Sequence, residues 1–421
     1  MAHTDGEPAA ASAGTARAER ADGAPGSDAP GSDGARRVRP SSLAEAADAL
    51  AAAGAENRTV LLRGAGTALD WGARVADTDL VLETAGLDRL VSHAAEDWTV
   101  TAEAGMPLHR LQRLLAPAGQ WLPFDPPAAS GATLGGLLAS GSAGPLRQAF
   151  GGLADLTIGA LVLPADGSPV RTGGEVIKNV AGYDLGKLFA GSLGAYGLVA
   201  QLTLRVHPLP AASATLDVPA DGAAAALAAA RAVAASPLGP AAAEWDGRRL
   251  LVRFLGTPDG TAARVRRAAE LPGFADAQAL HGDAEEAAWR EYAALVDGED
   301  GDTVLRAGVH PSRLPALDAE LAATARRCGV QARLTAGAAA GVCTARLRGG
   351  GPEAHAACLT EWREAVHDAG GTAVLRRRAP GVDAAAAAWG PPPGTVGVLR
   401  ALKRQFDPGG RLAPGRFAPW F

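Results

Sequence analysis

Cysteine is nearly absent from this 421-residue chain: only Cys328, Cys343 and Cys358 occur, and none belongs to a Cys-x-x-Cys pair. That excludes a zinc knuckle or an iron–sulfur cluster ligated by the chain itself, and it fits buried, reduced thiols in a reducing cytoplasm. The eight histidines are scattered, with no His-x-x-His or His-x₃-His pair, so no metal site is expected. No basic block exceeds Arg376-Arg377-Arg378 and the net charge is −5, which argues against nucleic acid as a partner. Long clean apolar runs are also missing; the alanine-rich stretch 223–235 is interrupted by Arg231 and reads as a soluble helix. Residues 1–37 hold no Val, Ile, Leu or aromatic residue, so a disordered tail without a secretory h-region is expected there. The expected location is the cytoplasm, with at most peripheral contact at the inner face of a membrane through partners.

Glycine, by contrast, is abundant at 54 residues and gathers in three loops. The apolar run 60–62 ends in Arg63-Gly64-Ala65-Gly66-Thr67. Next come Pro126-Pro127-Ala128-Ala129-Ser130-Gly131-Ala132-Thr133-Leu134-Gly135-Gly136 and Gly191-Ser192-Leu193-Gly194-Ala195-Tyr196-Gly197. A strand running into a tight glycine turn exposes consecutive backbone N–H groups, a nest suited to a pyrophosphate. One such turn is compatible with any strand-to-helix connection. Three are harder to leave empty, because each unpaired loop amide is costly without a ligand or solvent. A long, bent cofactor such as FAD accounts for them economically. Gly66 and Gly135 are the positions expected to admit close backbone approach to phosphate.

Order is expected from Val38 onward. Ser41 or Ser42 can cap a helix reaching Ala53, with Glu45 placed for a capping box from Ser42. Residues 60–62, 80–83 and 98–102 read as strands, and Pro107 opens a helix with Leu108, Leu111 and Leu115 on one face. Residues 133–138 read as a short helix whose start favours an anion. A strand over 155–164 turns back to pair with 170–171, and 200–206 alternates like a half-buried strand. His207-Pro208-Leu209-Pro210 marks a domain boundary. Beyond it, strands at 250–255, 303–309, 343–348 and 372–375 alternate with helices carrying Leu317 and Trp362, which predicts an antiparallel sheet with helices on one face. The expected organisation is a tail at 1–37, a first domain at 38–210, an α+β cap or substrate domain at 211–390, and a C-terminal helix and tail at 391–421 that returns to the first domain.

In this order the glycine loops resemble the FAD-binding domain of the p-cresol-methylhydroxylase type, in the family that includes vanillyl-alcohol oxidase. The block Lys178-Asn179-Val180-Ala181-Gly182-Tyr183-Asp184-Leu185 is similar to a stretch of flavin-dependent 2-hydroxyacid dehydrogenases. Its variant form, the Gly-Ser-Leu-Gly at 191–194 and the tail 402–417 resemble the smaller flavin subunits of bacterial glycolate oxidases. The resemblance implies an α+β fold: a two-subdomain FAD-binding domain followed by a cap with antiparallel sheet. It places Arg63, Gly64, Ala65, Gly66 and Thr67 around the FAD pyrophosphate. Ser130, Gly131, Ala132, Thr133, Gly135 and Gly136 form a second wall through amides and the Thr133 hydroxyl. Gly191, Ser192, Gly194, Gly197 and Val199 line the adenosine side, and Lys178, Asn179 and Tyr183 lie toward the isoalloxazine.

Departures from the family pattern carry information too. Thr67 stands where a flavin-linking His is often found, so FAD is expected to be non-covalent. Leu193 replaces the Glu usual in the larger catalytic flavin subunits, and their histidine-rich metal motif is missing. Arg306 and His310, at a strand end of the second domain, are candidates for holding a substrate carboxylate and taking its hydroxyl proton. Lys178 and Tyr183 are the other catalytic candidates. The resemblance implies a subunit of a glycolate-oxidase-like complex that oxidises glycolate, a small 2-hydroxy acid, to glyoxylate. A larger flavin subunit and an iron–sulfur subunit would be its partners. The alternatives are a self-sufficient dehydrogenase of another 2-hydroxy acid and a non-catalytic flavin-binding assembly subunit.

Overall fold

The computed structural model describes residues 34–127, 131–176 and 183–421. Its first strand, Arg36–Val38, begins slightly ahead of the expected start and lies parallel to Leu80–Glu83, which pairs in parallel with Val60–Arg63. Helix Leu43–Ala55 starts at Ser42, whose hydroxyl accepts the Glu45 amide at 3.2 Å. The expected capping box is displaced by one residue, because the Glu45 carboxylate turns back to the Ser41 amide at 2.8 Å instead of that of Ser42.

Beside this small parallel sheet stands a five-stranded antiparallel one, ordered Leu90–Ala94, Thr99–Glu103, Leu198–Arg205, Thr157–Leu163 and Val170–Gly173. Two expectations change here. Residues Leu153–Leu156 are a helical turn, not the start of the strand, since the Asp155 carboxylate accepts the Gly152 amide at 2.9 Å and closes it. The strand Leu198–Arg205 is buried almost throughout rather than on one face. Its central place gives it a core on each side: Leu198 and Ala200 pack with the parallel sheet, whereas Leu202 and Leu204 join the main core. Its polar Thr203 is buried but paired, hydroxyl to hydroxyl, with Thr101 at 3.0 Å.

The chain then builds an eight-stranded antiparallel sheet, as the α+β reading anticipates. Its order is Gln278–Leu280, Ala212–Pro219, Arg249–Gly256, Ala242–Trp245, Gln331–Gly337, Val342–Arg348, Thr303–Gly308 and Thr372–Arg377. Helices Ala223–Ala234, Leu314–Cys328 and Pro352–Asp368 pack on one face. Contrary to the expectation of a single helical face, Gly282–Asp297 packs on the other, where Tyr292 and Val296 cover Leu251 while its neighbours Leu250 and Val252 point into the main core. Strand alternation explains this: consecutive residues face opposite sides, so a helix under Leu251 cannot share the layer under Leu250.

After helix Val396–Phe406 the tail returns to the parallel sheet. The Val60 amide donates to Arg411 O at 2.9 Å and the Ala413 amide to Val60 O at 2.9 Å, covering that strand's otherwise open edge. Lys403 Nζ donates to Ala195 O at 2.9 Å and Leu412 O at 2.7 Å, tying the third glycine turn to the tail.

Candidate cofactor cleft

The strand Val60–Arg63 delivers its glycine turn to the wall of a cleft of about 690 Å³. Arg63, Gly64, Ala65, Gly66 and Thr67 line it, as do Thr133, Gly135, Gly136, Gly194, Gly197 and Val199. The amides of Ala65, Gly66, Thr67 and Ala68 donate to no acceptor among the described residues, so the turn presents consecutive free N–H groups to the cleft. Gly66 has φ +82°, a left-handed conformation that side-chain-bearing residues rarely adopt. Gly64 is needed for a different reason: a Cβ there would lie 2.2 Å from Thr133 Oγ1 on the opposing loop.

The second wall differs from expectation. The Leu134 and Gly135 amides are spent on Met106 O and Ala104 O at 3.0 and 2.7 Å, and the Gly136 amide donates to Thr133 Oγ1 at 3.3 Å. Gly135 lines the cleft, but its missing Cβ points at Ala104 Cβ, 2.9 Å away, so the absence of a side chain there serves packing. The second loop therefore supports the cleft by packing helix Leu134–Ser140 against the sheet, and offers it the Thr133 hydroxyl. In the third loop, Gly194 at φ +80° lines the cleft, whereas Gly191 and Ser192 are not among the residues lining it. Gly131 and Ala132 are also outside this cleft, and Ser130, Lys178 and Asn179 lie outside the described residues.

Sequence reasoning missed two contributors. Thr84 lines the cleft from a neighbouring strand end, and Arg416 reaches it from the tail. Arg416 is 3% exposed and donates Nη1 to Leu69 O, Trp71 O and Ala73 O at 2.8–2.9 Å. Burial pushes its guanidinium pKa down to about 10, so it still carries a positive charge at neutral pH. It thus fixes the loop after the glycine turn and brings a cation to the cleft. Free amides, a buried cation and glycine-limited walls fit a dinucleotide pyrophosphate.

A family model described as an FAD binding domain matches residues 35–173. The chain carries an FAD binding domain. Its type is the one the glycine loops resemble, and FAD is its cofactor. Glycolate oxidase subunit GlcE of Escherichia coli (strain K12) is 41% identical over 128 residues, 30% of this chain and 37% of that protein. Glycolate oxidase subunit GlcD of Bacillus subtilis (strain 168) is 33% identical over 37% of this chain and 33% of its own length. D-lactate dehydrogenase of Archaeoglobus fulgidus is 31% identical over 43% and 41%. The matched part thus spans about two-fifths or less of each relative. A solved alkyldihydroxyacetonephosphate synthase has the same fold, with a TM-score of 0.69 over 90% of this chain and 76% of that one, at 16% identity.

The remaining candidates separate. Tyr183 is 90% exposed. His310 is exposed as well, and its Nδ1 lies 2.8 Å from Ser312 Oγ and accepts the Ser312 amide, capping a short 3₁₀ turn. Arg306 turns inward from the same strand, donates Nη1 to Ala143 O at 3.1 Å, and lines a cavity between the eight-stranded sheet and the FAD domain. The structure does not bring Arg306 and His310 together. Between cleft and cavity lies a further space of about 640 Å³ lined by Thr67, Trp71, Ser140 and Arg376. There the Arg376 guanidinium lies 3.7 Å from the centre of the Trp71 ring. Among the described residues no group of His, Cys, Asp and Glu side chains is placed to hold a metal ion, and no helix is long and apolar enough to cross a membrane.

Proposed function

We propose that this chain is an FAD-dependent oxidoreductase subunit of a glycolate-oxidase-like complex, acting on a small 2-hydroxy acid such as glycolate. The observation that carries the reading is the arrangement of spaces. The amide nest at Ala65–Ala68 leads past Thr67 and Trp71 to an arginine-lined cavity, so a dinucleotide held at one end can present a ring toward the other. The relatives named as glycolate oxidase subunits and D-lactate dehydrogenase support the substrate class.

Arg63 and Arg416 would balance the pyrophosphate charge, the free amides would hold its oxygens, and Gly194 would leave room beside it. Bound FAD supplies a two-electron acceptor. Thr67 gives it no nucleophilic ring or thiol, so FAD is held non-covalently. Electrons would pass onward through a larger flavin subunit and an iron–sulfur subunit, and any membrane contact would be peripheral and made through them.

Anaerobic mixing of the purified yellow protein with glycolate and with D-lactate tests this directly. Bleaching of the flavin band, alone or once the partner subunits are added, is the expected result. A flavin that stays oxidised with both acids in the assembled complex would overturn the assignment, and acid precipitation that leaves flavin in the pellet would overturn non-covalent binding.

A further inference from the structure

The cavity beyond Trp71 has a charge balance that the cofactor does not explain. It spans about 360 Å³, partly open to solvent, and is lined by Arg147, Arg306, Glu244, Tyr292 and Thr344 together with Pro127. The Arg147 guanidinium has no hydrogen-bond or ion-pair partner among the described residues, and that of Arg306 has only the Ala143 carbonyl. Burial and the nearby Arg147 push the Arg306 pKa down to about 10, and Arg376 is depressed by burial and by both of these arginines. Glu244 is the acidic group that acts on Arg306 in this cavity, so two guanidinium groups face one carboxylate, and an entering anion would relieve the excess of positive charge.

Two features of the fold aim these groups. The pairing of Thr303–Gly308 with Thr372–Arg377 shifts register between Val304, opposite Arg377, and Leu305, opposite Leu375. Arg376 is the extra residue of that bulge, which re-aims its side chain toward Trp71. On the other side, Glu244 lies opposite Gly337, whose missing Cβ would sit 2.9 Å from Glu244 Oε1. That gap holds the carboxylate, which accepts a hydrogen bond from Tyr292 Oη. Glu244 is 6% exposed and forms no ion pair with Arg306 or Arg147, although both favour its charged form.

We propose that Arg147 and Arg306 form the seat for the carboxylate of a small α-hydroxy acid, and that Glu244, held by Tyr292, accepts the proton of its hydroxyl. This rests on the oxidation proposed above and supplies its missing acid–base partner. Bound FAD would supply the acceptor for the hydrogen and electron pair of the substrate's α C–H bond. The O–H proton passes to Glu244, and the C–O bond becomes the carbonyl. Burial raises the Glu244 pKa to about 7, which suits a group that must take up and release a proton near neutrality. Asp125, Arg306, Arg147 and Tyr292 are the charged and titratable groups that act on it.

Oxalate, which carries carboxylates but no α-hydrogen, tests the seat apart from turnover. Calorimetric titration of the FAD-loaded protein near neutral pH, in buffers of different ionisation enthalpy, should show saturable binding with proton uptake as the anion raises the Glu244 pKa further. Arg147→Gln and Arg306→Gln, each with full FAD content, should weaken binding by roughly tenfold or more. Glu244→Gln should bind oxalate at least as well but without proton uptake. Unchanged affinity in both arginine variants overturns the seat, and unchanged proton uptake in Glu244→Gln overturns the proton acceptor. Should the wild type bind oxalate in this arginine-dependent way while glycolate and D-lactate leave the flavin oxidised in the assembled complex, the seat stands and the proposed oxidation falls.

Discussion

The cofactor cleft and the arginine cavity lie along one path through the molecule but are made of different material. The cleft is built from backbone: four adjacent amides, a left-handed Gly66, and loops that touch because Gly64 has no side chain. The cavity is built from side chains that reach inward from a short helix, three strands of one sheet and a helix beneath it. A backbone site is specified within a few consecutive residues, whereas a side-chain site depends on strand register across hundreds of positions. Substitution of Gly64 or Gly66 should therefore damage the first and spare the second, and substitution of Arg147 or Arg306 the reverse.

The largest effect expected from that contrast is at Gly64. A valine there must displace Thr133 Oγ1, 2.2 Å from the new Cβ, and so spread the two loops. Overpacking of this kind costs roughly 3 kcal/mol, or about a hundredfold in FAD affinity. The eight-stranded sheet should keep its native hydrogen-exchange protection. FAD stoichiometry equal to that of the unmodified protein would show that the loops do not meet at Gly64. Gly135→Ala sharpens the comparison, because its added Cβ faces Ala104 and should lower stability more than cofactor affinity.

Arg416 bridges the two regimes: it is a side chain from the tail that organises backbone at the cleft. Arg416→Met leaves the carbonyls of Leu69, Trp71 and Ala73 without their donor. A loss of about 2 kcal/mol in urea unfolding is expected, with FAD affinity falling alongside. If stability falls but FAD affinity does not, the loop it holds is not part of the cofactor site.

This contrast also explains what could be read from the residues alone. Glycine loops, the capped helix after Ser42 and the antiparallel sheet were legible because their signals are local: turn residues, caps and alternation of period two. The supporting role of Gly135 was not legible, since nothing local distinguishes an amide that donates to Ala104 from one left free. Nor was Glu244 visible as a site residue. It sits in the short strand Ala242–Trp245, between apolar neighbours, and gains its meaning only when Gly337 and Tyr292 are brought beside it. Arg306 was picked out and is inside. His310 follows the end of the Arg306 strand and suits a base by its chemistry, but Pro311 turns the chain so that it caps a surface turn instead. The helix Gly282–Asp297 was missed for a related reason, because its buried face is narrow and its Glu285 is inside, bonded to Ser213 and Thr215 at 2.5 and 2.8 Å.

The electrostatics of the cavity can be tested without any ligand, by an effect that appears only as pH is raised. Burial raises the Glu244 pKa from 4.5 to about 7, so the folded chain keeps a proton there that the unfolded chain releases. The stability this proton brings is fully present below pH 4.5 and is lost as pH rises through about 7. Glu244→Gln stays neutral at every pH and can still accept from Tyr292 Oη. Relative to the unmodified protein it should therefore gain nothing in acid and gain up to roughly 3 kcal/mol on the alkaline side. Urea unfolding of both proteins on either side of neutrality measures the difference. A gap that does not change with pH would mean that Glu244 is ionised and solvated in the folded chain, and the cavity would then be an open surface feature rather than a largely buried one.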